Sequence, residues 1–134
     1  MATIIDTSIW VDCLRAGSSE GLRRQTLAIL AGHECFICEP VTFALLRAVP
    51  KRDRIRTEAL LATVPVLATP REIWAAAQLL GQKCLDAGFL PPPMDLLIAQ
   101  ICVYHNSRLV TFDAHYEHIS QVSPLKTDLR LRAQ

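Results

Sequence analysis

A three-layer α/β/α fold with a central, mainly parallel sheet is what this sequence predicts, and three observations predict it. Short apolar runs recur at 2–5, 34–38, 64–67 and 108–112. Between them lie stretches whose apolar residues recur at helical spacing. Gly, Pro and Ser mark the joints. Strands that alternate with helices pair in parallel, and the crossover helices cover both faces of the sheet.

The totals agree with one domain over 1–134. A chain of 134 residues, 51% apolar, can bury a core without disulfide support. Its five cysteines, Cys13, Cys35, Cys38, Cys84 and Cys102, are odd in number and set in apolar surroundings. Free thiols in a reducing cytosol are the reading that follows. Cys35 and Cys38 form a C-x-x-C, but on a strand residues three apart face opposite ways, and no second pair completes a zinc site. The net charge of +1 excludes a polycation, so any contact with nucleic acid has to be local. No apolar run reaches the roughly 18 to 20 residues of a membrane span. The N-terminus enters a strand without a basic leader, and a soluble, cytoplasmic protein is expected.

Taken in order, 2–5 is the first strand, and Thr7 or Ser8 can cap a short helix over 8–14. Gly17-Ser18-Ser19 breaks it, and Ser19-Glu20 opens a helix to Ala31 with Leu22, Thr26, Ile29 and Leu30 inward. The second strand covers 34–38. Glu39-Pro40 starts the next helix, with Pro where its missing N–H is harmless, and Pro50 stops it. A helix over 51–63 should turn Ile55, Ala59 and Leu60 inward and Arg52, Arg54 and Arg56 outward. After a short strand at 64–67, Thr69-Pro70-Arg71-Glu72 reads as a capped start for a helix to about Ala87, stopped by Gly88. Pro91-Pro92-Pro93 is stiff, and Asp95 sits at the start of a strongly apolar helix to about His105. Asn106-Ser107 turns into the strand 108–112, and a short helix follows over 114–119. A last edge strand is expected over 122–125, where Pro124 is tolerated. The tail with Arg130 and Arg132 reads as polar and loosely held.

Three aspartates carry the chemistry. Asp6 and Asp113 each follow an apolar strand, and Asp95 opens a helix toward the same sheet edge, where open α/β sheets bind ligands. Three carboxylates in one crevice repel each other and remain ionised when a cation neutralises them. Carboxylate oxygens with water suit Mg²⁺ or Mn²⁺. Ser8 and Thr111 stand two residues from Asp6 and Asp113 as supporting hydroxyls. Taken singly, each aspartate reads as a helix cap before it reads as a metal ligand. Asp12, Asp53, Asp86 and Asp128 lack such placement and read as surface charges.

Three segments carry a resemblance. Ile4-Ile5-Asp6-Thr7-Ser8-Ile9-Trp10-Val11-Asp12, Pro93-Met94-Asp95-Leu96-Leu97-Ile98-Ala99 and Leu109-Val110-Thr111-Phe112-Asp113-Ala114-His115-Tyr116 resemble, in order and spacing, those of PIN-domain nucleases of the VapC toxin type. The resemblance implies a PIN-like fold and an endoribonuclease dependent on Mg²⁺ or Mn²⁺. Asp6, Asp95 and Asp113 would be its catalytic and metal-binding acids. It also implies a cognate antitoxin as partner and a homodimer. The family places a glutamate where this chain has Ala44, in Pro40-Val41-Thr42-Phe43-Ala44-Leu45-Leu46. Two accounts stand: an engineered Glu→Ala replacement that silences a toxic activity, or a natural impairment. In either case weaker metal binding and poor cleavage are expected.

Other groups fit less directly. Arg47, Lys51, Arg52, Arg54 and Arg56 form a basic run, either a solvated helix face or a rim that contacts RNA phosphates. His115 and His118 lie near Asp113, although hard-cation sites rich in aspartate seldom recruit imidazole. The segment 73–85 is apolar on more than one side, as a surface covered by a second subunit or an antitoxin would be. The rival to a nuclease is a non-catalytic protein that keeps the fold to bind RNA or an antitoxin. A phosphoryl-accepting receiver domain fits poorly, because Asp53 lies in a basic helix and Lys126 is in the wrong setting.

Overall fold

A computed structural model describes residues 1–134. Five parallel strands form the sheet in the order β3-β2-β1-β4-β5: β1 Thr3–Ile5, β2 Cys35–Cys38, β3 Val66–Leu67, β4 Arg108–Thr111 and β5 Lys126–Leu129. Seven helices flank it: α1 Thr7–Leu14, α2 Glu20–Ala31, α3 Glu39–Leu46, α4 Arg54–Leu61, α5 Ile73–Asp86, α6 Pro93–Tyr104 and α7 His115–Ser120. The order reverses beside β1. The chain moves outward from β1 to β2 and β3, then returns to place β4 against the other side of β1. That reversal opens a crevice between the carboxyl ends of β1 and β4.

The register follows from burial. All three residues of β1 are buried, and they pair Thr3 with Arg108, Ile4 with Leu109 and Ile5 with Val110. A strand covered on both faces reads as a continuous apolar run, because no position can face water. Asp6 stays on this ladder, its N–H donating to the Val110 carbonyl at 2.9 Å. The core continues into α6, where Leu96, Leu97, Ile98, Ala99, Ile101 and Cys102 are all buried. Each such Leu or Ile contributes about 1.5–3 kcal/mol. That anchorage holds the first turn of α6, and so Asp95, against the sheet. Gly88, at φ 99°, ends α5 in the left-handed region that only glycine adopts freely.

Several elements differ from the sequence reading. The last strand is Lys126–Leu129, not 122–125. Pro124 cannot donate to a ladder, and Ser123 spends its hydroxyl on the Ile119 carbonyl and the Leu125 N–H, so this stretch is a turn. The expected helix over 51–63 is a 3₁₀ turn, Lys51–Asp53, followed by α4. Its buried residues are Thr57 and Leu61, while Ile55 and Leu60 are 85% and 44% exposed. Ile55 lies about 200° around the helix from Thr57 and Leu60 about 100° from Leu61, and α4 packs chiefly against α3 and the 3₁₀ turn, so much of its surface stays in water. Thr69 does not cap α5. The helix starts at Ile73 with Glu72 before it, and the Thr69 hydroxyl is buried without a partner. Trp74, Leu79 and Leu85 of α5 are exposed. No helix is long and apolar enough to cross a membrane.

Candidate active site

Asp6 is the N-cap of α1, a role the sequence reading gave to Thr7 or Ser8. Only 4% of it is exposed. A carboxylate buried this deeply needs donors, because water cannot reach its lone pairs. The protein supplies them. Oδ2 accepts from the Thr111 hydroxyl at 2.7 Å, the Ser8 hydroxyl at 2.8 Å and the Ser8 N–H at 3.4 Å. Oδ1 accepts from the Tyr116 hydroxyl at 3.3 Å. Thr111 Oγ1 also accepts the Asp113 N–H at 2.9 Å, and Ser8 Oγ accepts the Phe112 N–H at 3.2 Å. Two hydroxyls therefore stitch the end of β1 to the end of β4. Apolar pairing brings the strands together, and these bonds set the angle at which Asp6 leaves the sheet.

Asp113 lies two residues beyond β4, and its Oδ1 accepts the His115 N–H at 2.9 Å. The His115 ring lies against the same oxygen, with Nδ1 at 3.2 Å. Asp95 stands in the first turn of α6 and takes no backbone N–H. Its pKa is pushed up to about 6, first by burial and then by the charges of Asp6 and Asp113. The Tyr116 hydroxyl and His115 draw it back down. Ligand atoms of Asp95, Asp113 and His115 all come within 4.8 Å of one another. The crevice thus gathers Asp6, Asp95 and Asp113 around an excess of negative charge. Closely spaced carboxylate oxygens with uncompensated charge fit a divalent cation.

Tyr116 is the functional-looking residue that sequence reasoning passed over. It is 1% exposed. Its single hydroxyl proton bonds to Asp6 Oδ1 and is also drawn on by Asp95. Burial and those two anions raise its pKa far above the ordinary phenol range, so it remains a donor. A tyrosine three residues after Asp113 in an apolar-polar stretch was the only available signal. Beneath the site, burial pushes Cys38 up to about 12 and Cys102 well above the usual thiol range, so both stay protonated. All five cysteines are free.

Asp12 and the tail correct the sequence reading outright. Asp12 is 3% exposed, not a surface charge. It takes Arg132 Nε at 2.7 Å and Arg15 at 3.2 Å. The Arg132 guanidinium also lies 5.1 Å from the Phe112 ring centre. Gln25 holds the tail at the Leu131 carbonyl and the Ala133 N–H. Asp128 is likewise partly buried and paired with Arg130, which holds its carboxyl below the usual range.

Ala44 faces a groove of about 550 Å³ whose apolar floor includes Val11, Leu14, Leu45 and Val49. Arg15, Arg52 and Arg56 stand on its rim. Arg47, Lys51 and Arg54 are exposed nearby in the chain. Arg56 is paired with Asp53 at 2.9 Å, and Arg54 donates to the Val49 carbonyl.

Fold and site together define a class: a parallel α/β sheet that collects aspartates at its carboxyl edge, beside the point where strand order reverses. Within that class, the PIN domain model matches residues 3–122, and the chain belongs to the PIN domain family. Ribonuclease VapC11 of Mycobacterium tuberculosis is 28% identical over 127 residues, covering 92% of this chain and 95% of that relative. Among solved structures, VapBC2 from Rickettsia felis bound to a promoter DNA fragment superposes with a TM-score of 0.76 at 16% identity, over 97% of this chain and 99% of that one. VapBC-1 from nontypeable Haemophilus influenzae gives 0.73 at 18% identity, over 96% and 98%. At such identities the structural likeness shows the fold.

Proposed function

We propose that the chain is a VapC-type endoribonuclease toxin that hydrolyses RNA phosphodiesters at an acidic site holding Mg²⁺ or Mn²⁺. The observation that carries this reading is the placement of Asp6, Asp95 and Asp113 at one sheet edge: ligand atoms of Asp95 and Asp113 come within 4.8 Å of one another, and burial first, then the charges of Asp6 and Asp113, raises Asp95 to about 6. Asp95 and Asp113 would hold the cation, with Asp6 adding charge from behind. The cation would supply a hydroxide-like nucleophile and charge stabilisation at the phosphate. Ser8, Thr111 and Tyr116 orient Asp6. Arg47, Lys51, Arg52, Arg54 and Arg56 offer phosphate contacts along an exposed edge. The VapBC names of the structural relatives support an antitoxin as partner, and exposed Trp74, Leu79 and Leu85 offer a surface for that antitoxin or for a second subunit.

Ala44 favours a second reading, a non-catalytic PIN protein that binds RNA or an antitoxin. The two part in one experiment. RNA cleavage with Mn²⁺ is measured for the chain as it stands, for Ala44→Glu, and for Ala44→Glu with Asp95→Asn. Weak cleavage, raised by Ala44→Glu and abolished by Asp95→Asn, is the expected result. If Ala44→Glu cuts no RNA that the Asp95→Asn form leaves intact, the nuclease reading is lost.

A further inference from the structure

The residues closest to forming a cation site are not the three aspartates. Ligand atoms of Asp95, Asp113 and His115 lie within 4.8 Å of one another, and Asp6 is committed elsewhere. Its Oδ2 already serves three donors and its Oδ1 a fourth. Ala44 lines the neighbouring apolar groove and offers no ligand atom. We infer that His115 supplies an imidazole nitrogen to the cation held by Asp95 and Asp113, and that the site therefore favours Mn²⁺ and later first-row ions over Mg²⁺. This rests on the reading that the acidic site holds a divalent cation.

The charges and the ligand chemistry agree with this. Two carboxylates neutralise a divalent ion, and a neutral imidazole adds a ligand without adding charge. Imidazole binds borderline first-row ions, whose affinities rise from Mn²⁺ toward Cu²⁺, whereas Mg²⁺ keeps to oxygen and water. His115 is free to turn. Its side chain is 71% exposed, and its ring contact with Asp113 Oδ1 is a weak surface pair that a shared ion would replace. Its backbone is fixed by the bond from its N–H to the same carboxylate. The other three imidazoles are placed elsewhere: His33 against the Ile29 carbonyl, His105 against the Ala68 carbonyl and His118 beside the Phe89 ring.

The test uses the full chain without a histidine tag and Mn²⁺ alone. Pulsed electron paramagnetic resonance reads whether a ¹⁴N nucleus is directly bound to Mn²⁺, and calorimetry gives the Mn²⁺ and Mg²⁺ affinities. The unsubstituted chain should show ¹⁴N modulation, as should His118→Gln. In His115→Gln the modulation should vanish while Mn²⁺ still binds. Mn²⁺ affinity should fall at least the ten- to hundredfold that losing an outer-shell partner costs, and Mg²⁺ affinity far less. Mn²⁺ bound without ¹⁴N modulation overturns the assignment of His115 and leaves the nuclease reading intact. An unchanged Mn²⁺ to Mg²⁺ preference in His115→Gln overturns it as well. If the unsubstituted chain binds neither ion, this inference and the metal-dependent reading beneath it both fall.

Discussion

Asp95→Asn should stabilise the metal-free protein. The Asp95 carboxyl titrates near 6 in the folded chain against an ordinary 3.8. Unfolded chains therefore release this proton at lower pH than folded ones. The sign follows: stability tied to Asp95 is fully present below about pH 4, falls as pH rises, and is lost once pH passes about 6. The gap between 3.8 and about 6, at about 1.4 kcal/mol per pH unit, sets an upper figure near 3 kcal/mol. Asp95 is only half-buried, so solvent screening reduces this to about 1.5 kcal/mol. Asn keeps the shape and removes the charge. In EDTA at pH 7.5 the variant should melt about 5 °C above the unsubstituted chain. At pH 5 the gap should roughly halve. Saturating Mn²⁺ should reverse the order, because a ligand at a hundredfold over its Kd adds about 2.7 kcal/mol only to the form that binds it. The reasoning is refuted if the Asn variant melts no higher in EDTA at pH 7.5, or if its advantage is the same at pH 5.

Three further outcomes follow from particular contacts. Arg132→Ala leaves buried Asp12 with Arg15 alone; denaturant unfolding should show a loss of about 2 kcal/mol, below the full cost of breaking a buried pair because both arginines are half-exposed. Tyr116→Phe keeps the buried ring and removes the donor shared by Asp6 and Asp95. A carboxylate titration followed by NMR should place Asp95 above its present value, and a lower value would contradict the hydrogen bond. Ile55→Ser should change stability by no more than about 0.5 kcal/mol, since Ile55 is 85% exposed; a cost of 2 kcal/mol would mean that α4 is covered in solution.

Much of the fold was legible because burial on two faces leaves a strand no polar positions. Ile4-Ile5 and Leu109-Val110 could only be interior strands, and each run stops where a charged or hydroxyl residue meets the sheet edge. Periodicity was less able to locate α4. Its exposed face is as apolar as its buried one, so Ile55, Ala59 and Leu60 looked like the core and Thr57 did not. The strand after Pro124 was misplaced for a local reason: β propensity at 122–125 was weaker evidence than Ser123 turning its hydroxyl onto the backbone.

By itself the sequence determined the α/β alternation, the parallel sheet and the positions of Asp6, Asp95 and Asp113 at element ends, because each follows from local patterns of burial and charge. Tertiary structure alone decided what those side chains meet. Thr111 and Tyr116 reach Asp6 from 105 and 110 residues away, and Arg132 reaches Asp12 from 120. Such partners leave no periodic trace, since one hydroxyl or guanidinium suffices and its position in the chain is fixed only by which strands become neighbours. Asp12 could therefore pass for a surface charge until the fold brought Arg132 against it.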